Sequence, residues 1–305
     1  MTRRYGPTGI LPLATIAVAA VLLAGCGGGG TSSNDMGTTA SGDGIISGSA
    51  VKGPVAGATV KAFALNGGMM AAQLSSATTD VSGAFTMPMG SYAGPVMLQM
   101  SGGTYTDEAT GAVMAMGTGD MMTAVLPAIA AGANVSGVAV TPLTAMAQAM
   151  AQRMTGGMTD ANIAAANAAV GNYFRVGDIL HTQPMNPLVT GSGTGASQAM
   201  MNYGMTLAAM SQYAKTVGMP SSSGIVTAMM NDAADGVMDG RAGGSQVSMG
   251  GGMMGGSMMP PDAGRSGLAT AMTEFMNSSL NQSGVPASTM MSLVRQMRDG
   301  TGQLR

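Results

Sequence analysis

The sequence contains no tryptophan, and aromatic residues make up only 3% of its 305 positions. Modules that bind carbohydrate usually present flat aromatic faces to the sugar rings, so carbohydrate is not an expected ligand. Charged residues are also scarce, at 9%, and the formal net charge is −2. The chain therefore offers no basic surface for nucleic acid and no acidic tail.

Cysteine and histidine occur once each, as Cys26 and His181. A lone cysteine cannot form an internal disulfide bond, so packed cores must hold the fold together. A lone histidine excludes zinc sites that need two or more histidine ligands. No Gly-x-Ser-x-Gly elbow accompanies His181, which we interpret as a loop or interface residue. These absences predict a protein without catalysis or a bound cofactor; an enzyme that uses carboxylates alone stays open as an alternative.

The amino-terminal segment has the anatomy of an export signal. Arg3 and Arg4 supply a positive region, and residues 10–24 supply an apolar region that ends in small residues. The stretch Leu23-Ala24-Gly25-Cys26 resembles a bacterial lipobox. The resemblance implies a signal peptide over residues 1–25, cleavage before Cys26, and covalent lipid on the sulfur and the new amino terminus of that cysteine.

A lipid anchor predicts where the protein resides. Two or three acyl chains anchor a protein far more firmly than one. Gly27 stands where family sorting rules associate an aspartate with inner-membrane retention, so the resemblance implies the outer membrane of the cell envelope. An ordinary signal peptide beside a chance cysteine stays open as an alternative. So does an uncleaved membrane helix, although the apolar segment is shorter than the roughly 20 residues that a span needs.

The next part of the chain predicts a tether and then strands. Residues 26–44 are rich in glycine, serine and threonine, which is typical of a disordered linker. Over residues 45–133, short β-favouring runs broken by glycine and proline predict an all-β sandwich or barrel. The predicted strands are 45–51, 59–65, 75–79, 84–87, 96–100 and 121–126.

Two motifs stand in this strand-rich region, GPVAGATV at residues 53–60 and TDVSGAF at residues 79–85. Asp80 and Gly83 suit a hairpin turn, and Phe85 suits a core position on the strand that follows. Together the motifs resemble the carboxypeptidase regulatory-like family of bacterial envelope lipoproteins. The resemblance implies a transthyretin-like antiparallel β-sandwich, and it does not bring peptidase chemistry with it.

After Val140 the apolar spacing becomes helical, with Thr141 suited to cap a helix and Pro142 to its first position. Thirty-five methionines indicate that methionine replaces leucine in much of the core. The sequence thus predicts an α+β fold, a β-sandwich over 45–133 followed by a methionine-rich all-α domain over 134–305. The predicted helices are 141–154, 159–174, 195–217, 222–235, 266–282 and 286–298.

A low-complexity insert over residues 241–264 predicts a mobile loop between helices. Soft thioethers select Cu(I) and Ag(I), so the loop is a candidate soft-metal site. Reversible sulfoxide formation would instead let it buffer oxidants. A plain spacer is the competing interpretation. The candidate ligands are Met249, Met253, Met254, Met258 and Met259.

Three carboxylates, Asp232, Asp235 and Asp239, lie within one turn-rich segment and offer hard oxygen ligands to Ca²⁺. Their spacing departs from that of an EF-hand loop, and the glutamate of its twelfth position is missing. The competing interpretation is a helix that ends at Asp235 with Gly236 as its cap and Asp239 in a turn.

Lys52 or Lys61 with Asp107 or Glu108 would suit an intramolecular isopeptide bond, as in some related adhesin sandwiches. No signature near a terminal strand supports such a bond. We therefore expect a lipid-anchored envelope protein with a non-catalytic binding or structural role. Its expected partners are the membrane, through the anchor, and another envelope protein or a ligand. Handling of a soft metal by the insert is the alternative.

Overall fold

The structure is a computed structural model that describes residues 43–250 and 257–305. The described residues group into one compact unit. The predicted signal peptide, the lipidation site Cys26 and most of the predicted tether lie outside the described residues. No helix in the described part of the chain is long and apolar enough to span a membrane.

In the described chain, nine strands precede the first helix. Each of the six predicted strands overlaps an observed one, because glycine and proline stand where the chain turns. The strands are β1 (Gly44–Ala50), β2 (Thr59–Asn66), β3 (Met69–Thr78), β4 (Ala84–Gly90), β5 (Gly94–Ser101), β6 (Thr104–Thr106), β7 (Val113–Ala115), β8 (Met121–Ile129) and β9 (Asn134–Val140).

Strand β3 begins at Met69, six residues before its predicted start. The run from Met69 to Leu74 contains no β-branched residue, so strand propensity alone is weak there. A two-residue turn at Gly67 and Gly68 sets the strand instead. Both glycines have positive φ, 57° and 76°, as a tight hairpin requires, and the turn pairs Asn66 with Met69.

The strands form two larger sheets, ordered β4-β1-β9 and β3-β2-β5-β8. The four-stranded sheet is antiparallel, but β9 runs parallel to β1, which departs from the purely antiparallel arrangement predicted. Strand β9 also lies beyond residue 133, where the strand-rich region was predicted to end. The turn over residues 79–83 joins strands of different sheets, so it is not a hairpin. The two sheets share a core that includes Ile46, Val60, Met87, Leu98, Met122 and Val138.

Helices follow the strands, so the fold is α+β as predicted. Thr141, Thr159 and Ser197 cap the first three, each accepting a hydrogen bond from a backbone N–H three residues on. A π-helical turn, Ala263–Gly267, precedes the fifth helix, which ends six residues before its predicted end. The helices are α1 (Pro142–Arg153), α2 (Asp160–Tyr173), α3 (Gln198–Thr216), α4 (Ser223–Ala233), α5 (Leu268–Met276) and α6 (Ala287–Asp299).

The helices and the four-stranded sheet share a second core. Leu65, Met97 and Val125 extend from the sheet and pack with buried helical side chains such as Leu143 and Met146. Helices α1 and α2 both lie against β8. The strand-rich and helical parts of the chain are therefore joined by buried apolar contacts.

The insert over residues 241–264 contains four short strands in two ladders. Arg241–Ala242 pairs with Ser245–Gln246, and Ser248–Met249 pairs with Ser257–Met258. Val247, Met249 and Met259 are buried in the helical core. The expected loop without a buried face thus has buried side chains on both sides of residues 251–256, and these side chains pack against the helices.

Candidate functional site

A cavity of about 580 Å³ lies between the four-stranded sheet and the helices. Six of its twelve described lining residues are methionines, although methionine supplies only 35 of the 305 residues of the chain. We call this space the methionine cavity. Its methionines are Met69, Met70, Met97, Met121, Met158 and Met230.

The methionine cavity is assembled from segments that are distant in sequence. Strands β5 and β8 place Met97, Gln99 and Thr123 along one face, because alternate residues of a strand point the same way and the register pairs Gln99 with Thr123. Helix α1 adds Gln148 and Gln152, one turn apart on the same helix face. Side chains from two layers of the fold therefore line the cavity.

The tip of the β2–β3 hairpin forms part of the rim of the cavity. The backbone N–H of Met158 donates to the carbonyl oxygen of Gly68 at 2.8 Å. A Cβ atom at Gly68 would lie 2.0 Å from the carbonyl oxygen of Gly156, and one at Gly157 would lie 2.5 Å from that of Gly68. Only residues without a side chain permit these two turns to meet backbone to backbone.

The polar groups of the cavity are amides and a hydroxyl. Thr123 Oγ1 donates to Gln148 Oε1 at 3.2 Å, and Gln148 Nε2 donates to Gln152 Oε1 at 2.7 Å. Gln148 Nε2 also contacts the sulfur of Met158 at 3.5 Å. None of the described lining residues is ionisable. The cavity is therefore suited to an uncharged, mainly apolar molecule that makes one or two hydrogen bonds.

Exposure of the methionines falls from the mouth of the cavity to its floor. Met69, Met70 and Met121 are 69%, 51% and 40% exposed, whereas Met97 and Met158 are 6% and 2% exposed. The flexible thioethers at the mouth can adapt to ligands of different shape, as methionine does at promiscuous binding surfaces. No local sequence pattern distinguishes these residues, because methionine is frequent throughout the chain.

A second polar cluster lies at the junction of the strand-rich and helical parts. Lys52 is fully buried, and its Nζ donates to Glu108 Oε2 at 3.0 Å and to Ser211 Oγ. Ser211 Oγ in turn donates to Glu108 Oε2 at 2.5 Å. The Nζ atom also lies 5.4 Å from the ring centre of Tyr105, within the range of a cation–π contact. Lys52 and Glu108, two residues suited by type to an isopeptide bond, therefore form a buried ion pair.

Asp107 extends this cluster to the start of α4. Ser222 Oγ donates to Asp107 Oδ2 at 2.5 Å, and it also lies 2.9 Å from the hydroxyl of Tyr105. Burial opposes ionisation of Asp107, but hydrogen bonds from Ser222 and Thr110 and the charge of Lys52 outweigh it, so the pKa of Asp107 is held below its ordinary value. Glu108 lines a smaller cavity of about 210 Å³, whereas Ser211 and Lys52 do not line it. The cluster is suited to joining the two parts of the fold.

The three aspartates of the candidate calcium site accept hydrogen bonds from backbone N–H groups. Asp232 is buried, and its Oδ1 accepts from the N–H groups of Asp239, Gly240 and Arg241 at 3.0, 2.6 and 3.2 Å. Asp235 accepts from Gly243 at 2.9 Å, and Asp239 accepts from Arg241 at 3.0 Å. No group of three or more His, Cys, Asp or Glu side chains among the described residues is placed to hold a metal ion.

The ionisation of Asp232 should make the stability of the fold depend on pH. Burial raises the pKa of Asp232 to about 6, although three backbone N–H groups partly oppose the shift. The folded state therefore holds a proton that the unfolded state releases between about pH 4 and pH 6, so the contribution of this group to stability falls as the pH rises through that window. Asp232→Asn removes this ionisable group and therefore its pH dependence. Between pH 4 and pH 7 the free energy of unfolding of the variant should rise by about 3 kcal/mol relative to that of the parent.

Urea denaturation at a series of pH values measures this difference. Asp235→Asn is the matched control, because that side chain is exposed in the same segment. A constant stability difference between Asp232→Asn and the parent across the series would contradict the assignment.

The candidate soft-metal ligands of the insert lie in different environments. Met249 and Met259 are buried in the helical core, whereas Met258 is exposed on the opposite face of its short ladder. Met253 and Met254 lie outside the described residues. His181 is exposed, and its Nδ1 lies 2.8 Å from Asp178 Oδ2.

No protein-family model matches this sequence, and no curated protein matches it either. Among solved structures, the chain is similar to a 9R-lipoxygenase from Cyanothece PCC8801, with 11% identity and a TM-score of 0.21. The match covers 37% of this chain and 18% of the lipoxygenase. A likeness this weak supports neither a shared fold nor a shared activity.

Proposed function

We propose that the protein is a lipid-anchored component of the bacterial cell envelope that binds a neutral apolar ligand in the methionine cavity without catalysing a reaction. The observation that supports binding is the cavity itself, with six methionines and no ionisable residue among its described lining. Lipid attachment at Cys26 and an outer-membrane location rest on the lipobox resemblance.

The composition of the lining supports this class of ligand. Ligand cavities of roughly 300–1,000 Å³ with mostly apolar walls and a few polar groups are typical of small-molecule sites, and about 580 Å³ falls within that range. A charged ligand would lose its hydration without gaining an opposite charge, which is costly. Gln99 and Gln152 line the same cavity and can form hydrogen bonds with one polar group of the ligand. A soft-metal site at the insert is less well supported, because the side chains of Met249 and Met259 are already packed in the core.

We also infer that the two larger sheets correspond to the transthyretin-like arrangement. Two features support this inference. The sheets share one apolar core, and the TDVSGAF motif forms a tight turn between them, in which Asp80 Oδ1 accepts from the N–H groups of Ser82 and Ala84, although this turn is not the hairpin predicted. Phe85 is buried on the strand that follows.

The anchor is tested by replacing its cysteine. Cys26→Ala should abolish incorporation of labelled palmitate, and it should release the protein from the membrane fraction, because sulfur is the attachment point for the diacylglycerol. Processing of the parent should also be sensitive to globomycin. Unchanged membrane retention of Cys26→Ala would contradict lipid anchoring.

Ligand class is tested with two probes of matched shape. Residues 26–305 carrying Cys26→Ala avoid detergent, and neutral N-phenylnaphthylamine should bind them with enhanced fluorescence. The related anion anilinonaphthalene sulfonate should bind at least about tenfold more weakly, which corresponds to about 1.4 kcal/mol. Equal affinity for both probes would contradict a neutral-ligand cavity.

The site of probe binding is tested by one substitution and its control. Met121→Gln places an amide at the mouth of the cavity and should weaken binding of N-phenylnaphthylamine by about tenfold, because the amide must lose water on binding. Met291→Gln makes the same change at an exposed methionine outside the described lining of the cavity and should leave the affinity unchanged. Equal effects of the two substitutions would place the probe elsewhere.

A further inference from the structure

We propose that the mouth of the methionine cavity is a reversible oxidation site, at which peroxide converts Met69, Met70 and Met121 to sulfoxides and thereby weakens ligand binding. The inference rests on the proposed function, because its consequence is a change in the occupancy of the same cavity. The proposed oxidation site is at the mouth of the cavity. The sequence, in contrast, indicated oxidant buffering at the insert over residues 241–264.

The distribution of exposed methionines carries the proposal. In the described chain, five methionines are exposed, and three of them line this one cavity. The floor residues Met97 and Met158 are buried. Because thioether oxidation requires contact with a dissolved oxidant, the mouth is expected to react before the floor.

The two remaining exposed methionines provide an internal comparison. Met258 lies on the short ladder of the insert and Met291 on α6, at 56% and 37% exposed, and neither is among the described lining of the cavity. Their exposures are close to those of Met70 and Met121, which are 51% and 40% exposed. They are therefore expected to oxidise at similar rates without altering the cavity.

The chemistry needs only a peroxide and a later reductant. A lone pair of the thioether sulfur attacks one oxygen of hydrogen peroxide, so that an S–O bond forms as the O–O bond breaks. The departing hydroxide takes up the remaining proton and leaves as water. The sulfur loses two electrons and the peroxide gains them. Methionine sulfoxide reductases, supplied with a thiol reductant, return the sulfur to the thioether and release the oxygen as water.

Sulfoxide formation changes what the mouth can contact. The added oxygen is a strong hydrogen-bond acceptor on a side chain that was apolar. A neutral apolar ligand that enters past Met70 and Met121 would have to displace the water bound to these oxygens, and the described lining offers no charged donor in its place. Oxidation at the mouth thus disfavours the bound state while leaving the buried core of the fold unmodified.

The experiment uses residues 26–305 with Cys26→Ala, treated with limiting hydrogen peroxide. Peptide mass spectrometry should show sulfoxide at Met69, Met70 and Met121 before it appears at Met97 or Met158. Affinity for N-phenylnaphthylamine should fall by about tenfold as the mouth residues are oxidised. Treatment with both stereospecific sulfoxide reductases should restore the affinity.

Two sets of substitutions separate the mouth from the rest of the surface. The triple variant Met69→Leu, Met70→Leu and Met121→Leu keeps an apolar mouth of similar volume, and peroxide should no longer lower its affinity. The double variant Met258→Leu and Met291→Leu should stay as sensitive as the parent. If the triple variant binds poorly before treatment, the order of sulfoxide formation in the parent and rescue by the reductases decide the question.

The results distinguish failure of the proposed function from failure of the oxidation proposal. An untreated parent protein that does not bind the probe overturns the proposed function. A parent that binds the probe equally before and after mouth oxidation overturns the oxidation proposal alone. Oxidation of the floor together with the mouth, or a loss of affinity that persists in the triple variant, also overturns it.

Discussion

Replacing Lys52 with methionine should lower the free energy of unfolding by about 3–5 kcal/mol, because it leaves the carboxylate of Glu108 buried without its counter-charge. Methionine keeps much of the length of the lysine stem, so packing changes little. Ser211 would lose one of its two partners in the same step. Urea denaturation at pH 7, followed by circular dichroism, measures the difference.

Two further variants separate charge from packing in this experiment. The double variant Lys52→Met and Glu108→Leu removes both charges and should recover most of the loss, since an apolar pair can replace a buried ion pair at little cost. Lys61→Met is the matched control on β2, where the lysine is partly exposed, and should change stability by no more than about 0.5 kcal/mol. A loss below about 1 kcal/mol for Lys52→Met would contradict the buried pair.

The elements of the fold could largely be predicted from the sequence. The switch from short β-favouring runs to helical spacing falls where the structure changes from β9 to α1, and Thr141 caps the helix as expected. Local patterns of this kind depend on neighbouring residues, which the sequence displays directly. The early start of β3 was missed because a glycine turn, and not strand propensity, sets it.

Pairings between distant residues could not be predicted in the same way. The parallel contact of β9 with β1 joins segments about 90 residues apart, and it depends on the chain crossing from one sheet to the other after β8. The ion pair of Lys52 with Glu108 spans 56 positions, and Ser211 lies 159 positions from Lys52. The one available signal was the rarity of charge, which makes a lysine inside an apolar segment unusual.

The candidate site was the least predictable part. Its described lining comes from three strands, two helices, the turn between β2 and β3 and the loop between α1 and α2, so no single segment of sequence contains a motif for it. The sequence favoured the methionines of the insert, because that segment is low in complexity and rich in glycine. Packing, however, buries Met249 and Met259 and leaves Met69, Met70 and Met121 open to solvent.

Gly68→Ala should be the most disruptive single change at the methionine cavity. Its φ of 76° alone costs an alanine about 1 kcal/mol, and the new methyl group would lie 2.0 Å from the carbonyl oxygen of Gly156. The hairpin tip must therefore move away from Gly157, and the hydrogen bond from Met158 to Gly68 is lost. We expect a loss of at least about 2 kcal/mol in stability and a weaker affinity for N-phenylnaphthylamine.

The neighbouring glycine supplies the control that isolates the contact from the backbone strain. Gly67 also has positive φ, 57°, but no atom lies within 4 Å of the place where its Cβ would stand. Gly67→Ala should therefore cost only about 1 kcal/mol and leave probe affinity unchanged. Hydrogen exchange at the Met158 amide should quicken in Gly68→Ala but not in Gly67→Ala. Equal behaviour of the two variants would mean that the hairpin tip does not close the rim, because backbone strain is common to both positions and only the contact with Gly156 differs.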